Sequence, residues 1–239
     1  MPRQLHLNLF LHDTGHHEAS WRLPDADPNA NLDIAYDLRL ARLAEDAKFD
    51  SVFLADGPGL RGSVAKRPMG RLEPTVVLTA LAAGTSRIGL IGTASTSYND
   101  PYNLARRLAS LDVVSGGRAG WNIVTTAGDA LARNFGLERQ PLHRDRYARA
   151  EEFLEVATKL WDSWHDDAVV ADKARGVHAE PDLVKAIEHR GKYFAVAGAL
   201  NVPRTPQAYP VLVQAGSSED GKDFAARWAE AVFTAQPTL

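Results

Sequence analysis

Short apolar runs alternate with helical repeats along almost the whole chain, and this alternation restricts the fold more than any other property of the sequence. Ser51–Ala55 (SVFLA), Arg87–Ser95 (RIGLIGTAS), Gly117–Thr126 (GRAGWNIVTT) and Val211–Val213 are strand-length runs. They are apolar on both faces, as strands of a parallel sheet must be. Between them lie repeats at helical spacing: Ile34, Leu38, Ala41, Ala44 and Ala47; a segment from Pro74 to Ala83; Leu104, Leu108 and Leu111; and Ala150, Phe153, Leu154, Ala157 and Leu160. Leu5, Leu7, Leu9 and Leu11 alternate with His6, Asn8 and Phe10 as a first strand, and Ala231–Thr234 reads as a sixth. The repeated order predicts a parallel sheet with helices packed outside it.

Two α/β architectures carry that order, an open doubly wound sheet and a TIM (β/α)8 barrel. The open sheet usually has a Gly-rich loop after its first strand, whereas HDTGHHEASW holds a single Gly. A small-residue turn, Gly216-Ser217-Ser218, instead comes late, between an apolar strand and an amphipathic helix that starts near Glu219. Backbone N–H groups at such a turn suit an anion, and late phosphate sites belong to barrels. The barrel is therefore expected. It takes eight strands and about six are read, so a barrel truncated at its C-terminal side is expected, either a fragment or one completed from elsewhere. Residues 1–239 read as a single domain, with 162–202 as an irregular insertion within it.

At 239 residues one large core is affordable, and a formal net charge of −3 offers no basic surface for nucleic acid or anionic membrane. Cysteine is absent, which excludes disulfides and thiolate metal sites and suits a reducing cytoplasm. The N-terminus lacks the apolar stretch of a signal peptide, and no run reaches membrane-spanning length. A cytoplasmic protein is expected.

In a barrel, function sits at the carboxyl ends of the strands: here Asp56, Thr93–Ser97, Thr125-Thr126 and Gly216–Ser218. Asp56 suits orienting a polar ring or acting as a base; it equally suits ending the strand at Gly57. His143 and Tyr147 lie four apart at a helix start and share a face, as a surface pair or as two groups reaching into the mouth. His12, His16, His17 and Glu18 are metal-ligand types, but adjacent His16 and His17 do not share a face in a regular element, and no metal is expected. Arg61, Lys66, Arg67 and Arg71 form a basic loop, suited either to solvent or to an anionic substrate. There is no G-x-S-x-G, P-loop lysine or HExxH, so nucleophilic hydrolysis, NTP chemistry and zincin chemistry have no support.

Seven blocks carry a resemblance: FDSVFLAD (49–56), EPTVVLTALAAGTSRIGL (73–90), TASTSYNDPYNLARRLASLD (93–112), GRAGWNIVTT (117–126), HRDRYARAEEFLEV (143–156), GKYF (191–194) and QAGSSEDGKDFAA (214–226). In this order they resemble the bacterial luciferase-like flavin monooxygenases, in the subgroup of nitrilotriacetate monooxygenase component A, which also includes EDTA, dibenzothiophene-sulfone and long-chain alkane monooxygenases. The resemblance implies a TIM barrel that binds reduced FMN (FMNH2) from a separate NAD(P)H:flavin oxidoreductase. With O2 as co-substrate, a flavin C4a-peroxide would oxygenate a small organic substrate. It implies cofactor contacts at Asp56, Thr93, Thr126, His143, Tyr147, Gly216, Ser217 and Ser218, a proton-transfer role for His143, and a homo-oligomer. Family members run to roughly 450 residues, so the last strands and helices are missing here. The rival expectation is a non-catalytic flavin or phosphate-ligand binder, or a remnant that needs another chain to complete the barrel.

Overall fold

The computed structural model describes residues 5–60 and 62–235. Arg61 of the basic loop lies outside the described residues. In chain order the elements begin with β1 (Asn8–Phe10), α1 (Ile34–Asp46), β2 (Ser51–Leu54), α2 (Pro74–Gly84), β3 (Gly89–Ser95), α3 (Pro101–Ser115) and β4 (Ala119–Val124). There follow α4 (Asp129–Arg133), α5 (His143–Trp161), β5 (Val169–Asp172), β6 (Val177–Ala179), β7 (His189–Arg190), β8 (Ala195–Val196), β9 (Val211–Gln214), α6 (Glu219–Trp228) and β10 (Ala231–Val232).

Helices α1, α2 and α3 start where acidic side chains take up orphan N–H groups. Asp33 accepts from the Ala35 N–H at 2.8 Å, and Asp100 from the Asn103 N–H at 3.1 Å, with Pro101 at the first position of α3. Gly116 closes α3 at φ 68°, a left-handed conformation that needs no Cβ to clash.

Six strands form one sheet in the order β1-β2-β3-β4-β9-β10, every adjacent pair parallel. A doubly wound sheet reverses its strand order at a switch point; this one never reverses. It also curls. Phe233, just past β10, stacks on Phe53 of β2 with ring centroids 6.0 Å apart, and meets Phe10 of β1 edge-on at 6.3 Å. Four strand spacings separate β2 from β10, about 19 Å across a flat sheet. Only strong curvature brings those rings together. The described residues thus form a curled parallel half-barrel of six strands.

Side-chain alternation assigns the two faces. Val52, Leu54, Leu90, Ala119, Trp121, Ile123 and Leu212 point outward into two apolar clusters shared with the helices. Phe10, Phe53, Ile91, Thr93, Asn122 and Val213 take the opposite, concave face by the period-two rule. Each fully buried large apolar side chain on the helix side contributes about 1.5–3 kcal/mol.

At the amino end of the sheet, Arg118 ties four segments. Its guanidinium donates to the carbonyls of Ser115 (2.6 Å), Ile88 (2.8 Å), Ala82 (3.0 Å) and Thr85 (3.2 Å) and to Thr85 Oγ1 (3.0 Å).

Some boundaries differ from the sequence reading. Only Asn8–Phe10 of the predicted first strand pairs as strand, although the Leu11 N–H still reaches the Phe53 carbonyl at 3.0 Å. Helix α4 was not anticipated; five residues are too few for a periodic signal. Residues 162–202 add no strand to the main sheet. They carry two antiparallel pairs, β5–β6 and β7–β8. The β7–β8 pair is held to α5 by Glu152, which accepts from the N–H groups of Tyr193 (2.9 Å) and Phe194 (2.8 Å). Among the described residues no helix is long and apolar enough to cross a membrane.

Candidate functional site

Because all six strands are parallel, their carboxyl ends share one rim, and sheet order sets the sequence of groups along it. Asp56 follows β2, Ser95–Ser97 end β3, Thr125 and Thr126 follow β4, and Gly216–Ser218 follow β9.

The β9–α6 turn has the makings of an anion cradle. Ser218 is the N-cap of α6, its hydroxyl accepting from the Gly221 N–H at 3.1 Å. The Gly216 N–H is already taken by Gln214 Oε1 at 2.7 Å, so the free donors lie one residue later than the sequence suggested. The N–H groups of Ser217, Ser218, Glu219 and Asp220 meet no acceptor among the described residues. They sit at the positive end of the helix dipole.

The first turns of α5 and α6 meet here. His143 Nδ1 lies 2.7 Å from Asp220 Oδ2, and its Nε2 lies 3.4 Å from the Ser218 hydroxyl. Tyr147, one turn on, packs its ring on His143 (centroids 4.9 Å) and edge-on against Phe224 (5.8 Å). A Cβ on Gly216 would stand 2.8 Å from the Tyr147 hydroxyl, and one on Gly221 2.9 Å from it. The two glycines are what let the turn close down on Tyr147. His143, Tyr147, Gly216 and Ser218 are therefore one contact group, and exposed Ser217 sits on its rim.

Thr93 lies elsewhere, on the concave face of β3 and 3% exposed. Its hydroxyl accepts from Asn122 Nδ2 at 2.8 Å, its register partner on β4. Asn122 Oδ1 is buried with no partner among the described residues. An unmet buried acceptor costs on the order of 1–3 kcal/mol and is expected only where something else satisfies it. The sequence reading missed Asn122. The signal was there, a polar amide in the middle of the apolar run GWNIV.

Asp56 stands in the wall of a third feature, a cleft of about 310 Å³ between the loops after β1 and β2. Burial away from water raises its carboxyl above the usual range, Glu73 adding to the effect, against the Gly57 N–H and Arg71. His12, His16, His17, Arg67 and Arg71 also line this cleft. Burial lowers the His12 pKa, and Arg71, His16 and Arg67 lower it further against Asp13. His12 Nε2 and His16 Nδ1 are 3.3 Å apart. No group of three or more His, Cys, Asp or Glu among the described residues is arranged to hold a metal ion.

Thr126 is half-buried at the start of the β4–α5 loop. That loop reaches back over the rim: Leu131 packs where a side chain on Gly59 would go, and Asn134 Nδ2 donates to the Pro58 carbonyl at 3.3 Å. Tyr98, after β3, stacks on Phe135 at 4.3 Å. The loops following β2, β3 and β4 are thereby tied to one another. The structure brings His143, Tyr147 and the 216–218 turn into direct contact. It places Thr93 on the sheet floor and Asp56 and Thr126 along the same rim.

Comparisons with known proteins agree with this architecture. The luciferase-like monooxygenase family matches residues 13–238. N-acetyl-S-(2-succino)cysteine monooxygenase of Bacillus subtilis (strain 168) is 48% identical over 237 residues, covering 99% of this chain and 54% of the relative. Nitrilotriacetate monooxygenase component A of Aminobacter aminovorans is 48% identical over 249 residues, covering 99% and 55%. A crystal structure of riboflavin lyase with modified FMN and riboflavin superposes with a TM-score of 0.91 at 39% identity, covering 99% of this chain and 55% of that one. The chain thus spans about half the length of the curated relatives it matches.

Proposed function

The chain belongs to the luciferase-like monooxygenase family, and from that premise we propose that it binds reduced FMN, received from a separate NAD(P)H-dependent flavin reductase, and serves to oxygenate a small organic substrate with O2. The observation that carries this reading is the row of unpaired N–H groups at Ser217–Asp220 beside His143 and Tyr147. Four donors at a helix start, with two serine hydroxyls, match the oxygens of a 5′-phosphate. A Cβ on Gly216 or Gly221 would meet the Tyr147 hydroxyl, so the two glycines keep the turn close to Tyr147, which supports this reading.

The remaining residues take roles consistent with their positions. His143 stands between the Asp220 carboxylate and the cradle, so it offsets the repulsion between that carboxylate and an incoming phosphate. A proton held on its Nε2 is within reach of the Ser218 hydroxyl. Thr93 and Asn122 supply a hydroxyl and an unmet amide oxygen on the concave floor, suited to the polar edge of an isoalloxazine ring. Asp56 and Thr126 are assigned to the ring side of the rim. Reduced FMN, when bound, supplies the electrons that activate O2. The chain's own contribution is to orient it and keep water out, which is why no nucleophile or metal site is needed.

The test is anaerobic titration of the chain with reduced FMN and, separately, reduced riboflavin. The phosphate cradle predicts that FMN binds at least tenfold more tightly. Equal binding of the two, or no binding by a chain with folded circular dichroism, refutes the assignment. Substrate-dependent O2 consumption with an added flavin reductase then tests catalysis.

A further inference from the structure

The cleft beside Asp56 differs in character from the phosphate cradle. It lies between the loops after β1 and β2, at the opposite end of the rim from the β9–α6 turn. We propose that it selects the substrate of the monooxygenase reading: a small organic acid whose carboxylate is bound by the Arg67 guanidinium. This rests on the proposed function and adds the chemical class of what is oxygenated.

Three observations carry it. First, the two arginines of the cleft are not equivalent. Arg71 is spent within the fold, on the Asp13 carboxylate at 3.1 Å and the Ala55 carbonyl at 3.3 Å. Arg67 lines the same cleft and has no hydrogen-bond or carboxylate partner among the described residues. A guanidinium offers a planar fork of donors that fits a carboxylate.

Second, the loop that carries Arg67 is held on both sides. Trp21 Nε1 donates to the Lys66 carbonyl at 2.9 Å, and Asn31 Nδ2 to the Gly70 carbonyl at 3.0 Å. The guanidinium therefore projects from a backbone fixed by the β1–α1 loop, which lowers the ordering cost of binding.

Third, the charges acting on His12 favour an anion at that point of the cleft. Of the three carboxylates facing the cleft, Asp13 is paired with Arg71, and neither Glu18 nor Asp56 is paired with Arg67 among the described residues. Arg71, His16 and Arg67 all oppose a proton on His12, and only Asp13 favours one.

The experiment is calorimetric titration of the full chain with succinate, tricarballylate and the neutral isostere succinamide. Each is done with and without reduced FMN under anaerobic conditions, for the parent and for Arg67→Gln and Arg67→Lys. The expected result is binding of the carboxylates and not of succinamide, weakened about tenfold by Arg67→Gln and partly kept by Arg67→Lys. Because Arg67 is exposed, both variants are expected to keep the parent's circular dichroism and its affinity for reduced FMN. Succinamide binding as well as succinate, carboxylate binding unchanged in Arg67→Gln, or no carboxylate binding by a chain that binds reduced FMN overturns the proposal. Carboxylate binding by a chain that does not bind reduced FMN overturns the monooxygenase reading and leaves the anion selectivity of the cleft standing.

Discussion

The His143 imidazole and the Asp220 carboxylate, 77 residues apart in sequence, face each other at 2.7 Å across the first turns of α5 and α6. Both groups are about half exposed. Such a pair contributes little to stability, on the order of 0–1 kcal/mol. Its position beside four unpaired N–H groups gives it a binding role instead. His143→Ala is therefore expected to lower the unfolding free energy by no more than about 1 kcal/mol while weakening reduced FMN about tenfold or more. Parallel denaturation and anaerobic fluorescence titrations separate the two effects. A loss of stability without a loss of affinity would assign the pair to the fold alone.

Gly216 is held by crowding and not by its backbone angle. A Cβ there would stand 2.8 Å from the Tyr147 hydroxyl and 3.2 Å from the Gly221 Cα. Gly216→Val is expected to push the β9–α6 turn off Tyr147, costing about 1–3 kcal/mol and abolishing the preference for FMN over riboflavin. Retention of that preference, measured by the same pair of titrations, would show that the turn does not hold the phosphate.

Arg118→Lys keeps the charge and loses the fork. Its five donor contacts converge on the ends of α2 and α3 and the start of β3, and a lysine ammonium cannot span them. The expected cost is about 2–4 kcal/mol by chemical denaturation. Because this staple lies at the amino end of the sheet, affinity for reduced FMN in the remaining folded protein should be unchanged.

Asp37 gives a pH signature. Burial raises its carboxyl to about 6, with Asp13 and Asp33 adding to the shift and Arg71 opposing it. A carboxyl with a raised folded-state pKa favours the fold while protonated, so its contribution is present below about 4 and is lost as pH rises through about 6. Asp37→Asn should therefore flatten the stability profile between about pH 4 and 6 and stabilise the protein at pH 7 by about 1–2 kcal/mol, allowing for solvent at a half-buried site. Urea melts across pH check the slope. A variant no more stable than the parent at pH 7 contradicts the sign.

Much of the fold was legible in the sequence because strand order follows chain order. SVFLA, RIGLIGTAS and GRAGWNIV became β2, β3 and β4 within a few residues. The late Gly-Ser-Ser turn became the β9–α6 junction. What was not legible depended on partners far away in sequence. Leu5–Leu11 alternates like a longer strand, but only Asn8–Phe10 finds its register on β2. Asn122 looked like one polar residue in a strand until its register partner Thr93 was placed beside it.

The residues alone determined that this chain makes parallel strands with outer helices, where those strands end, and which turn has the small side chains an anion cradle needs. These are local properties: periodicity, capping and steric freedom act within about ten residues. Only the tertiary structure decided that Phe233 meets Phe53 and Phe10 across a curled sheet, that the Gly216 N–H is spent on Gln214 while those of Ser217–Asp220 are free, and that Arg71 is tied to Asp13 while Arg67 is not. Each of these depends on which distant group packing delivers within about 3–6 Å, and hydrogen bonds and ion pairs respond to that distance and not to sequence spacing.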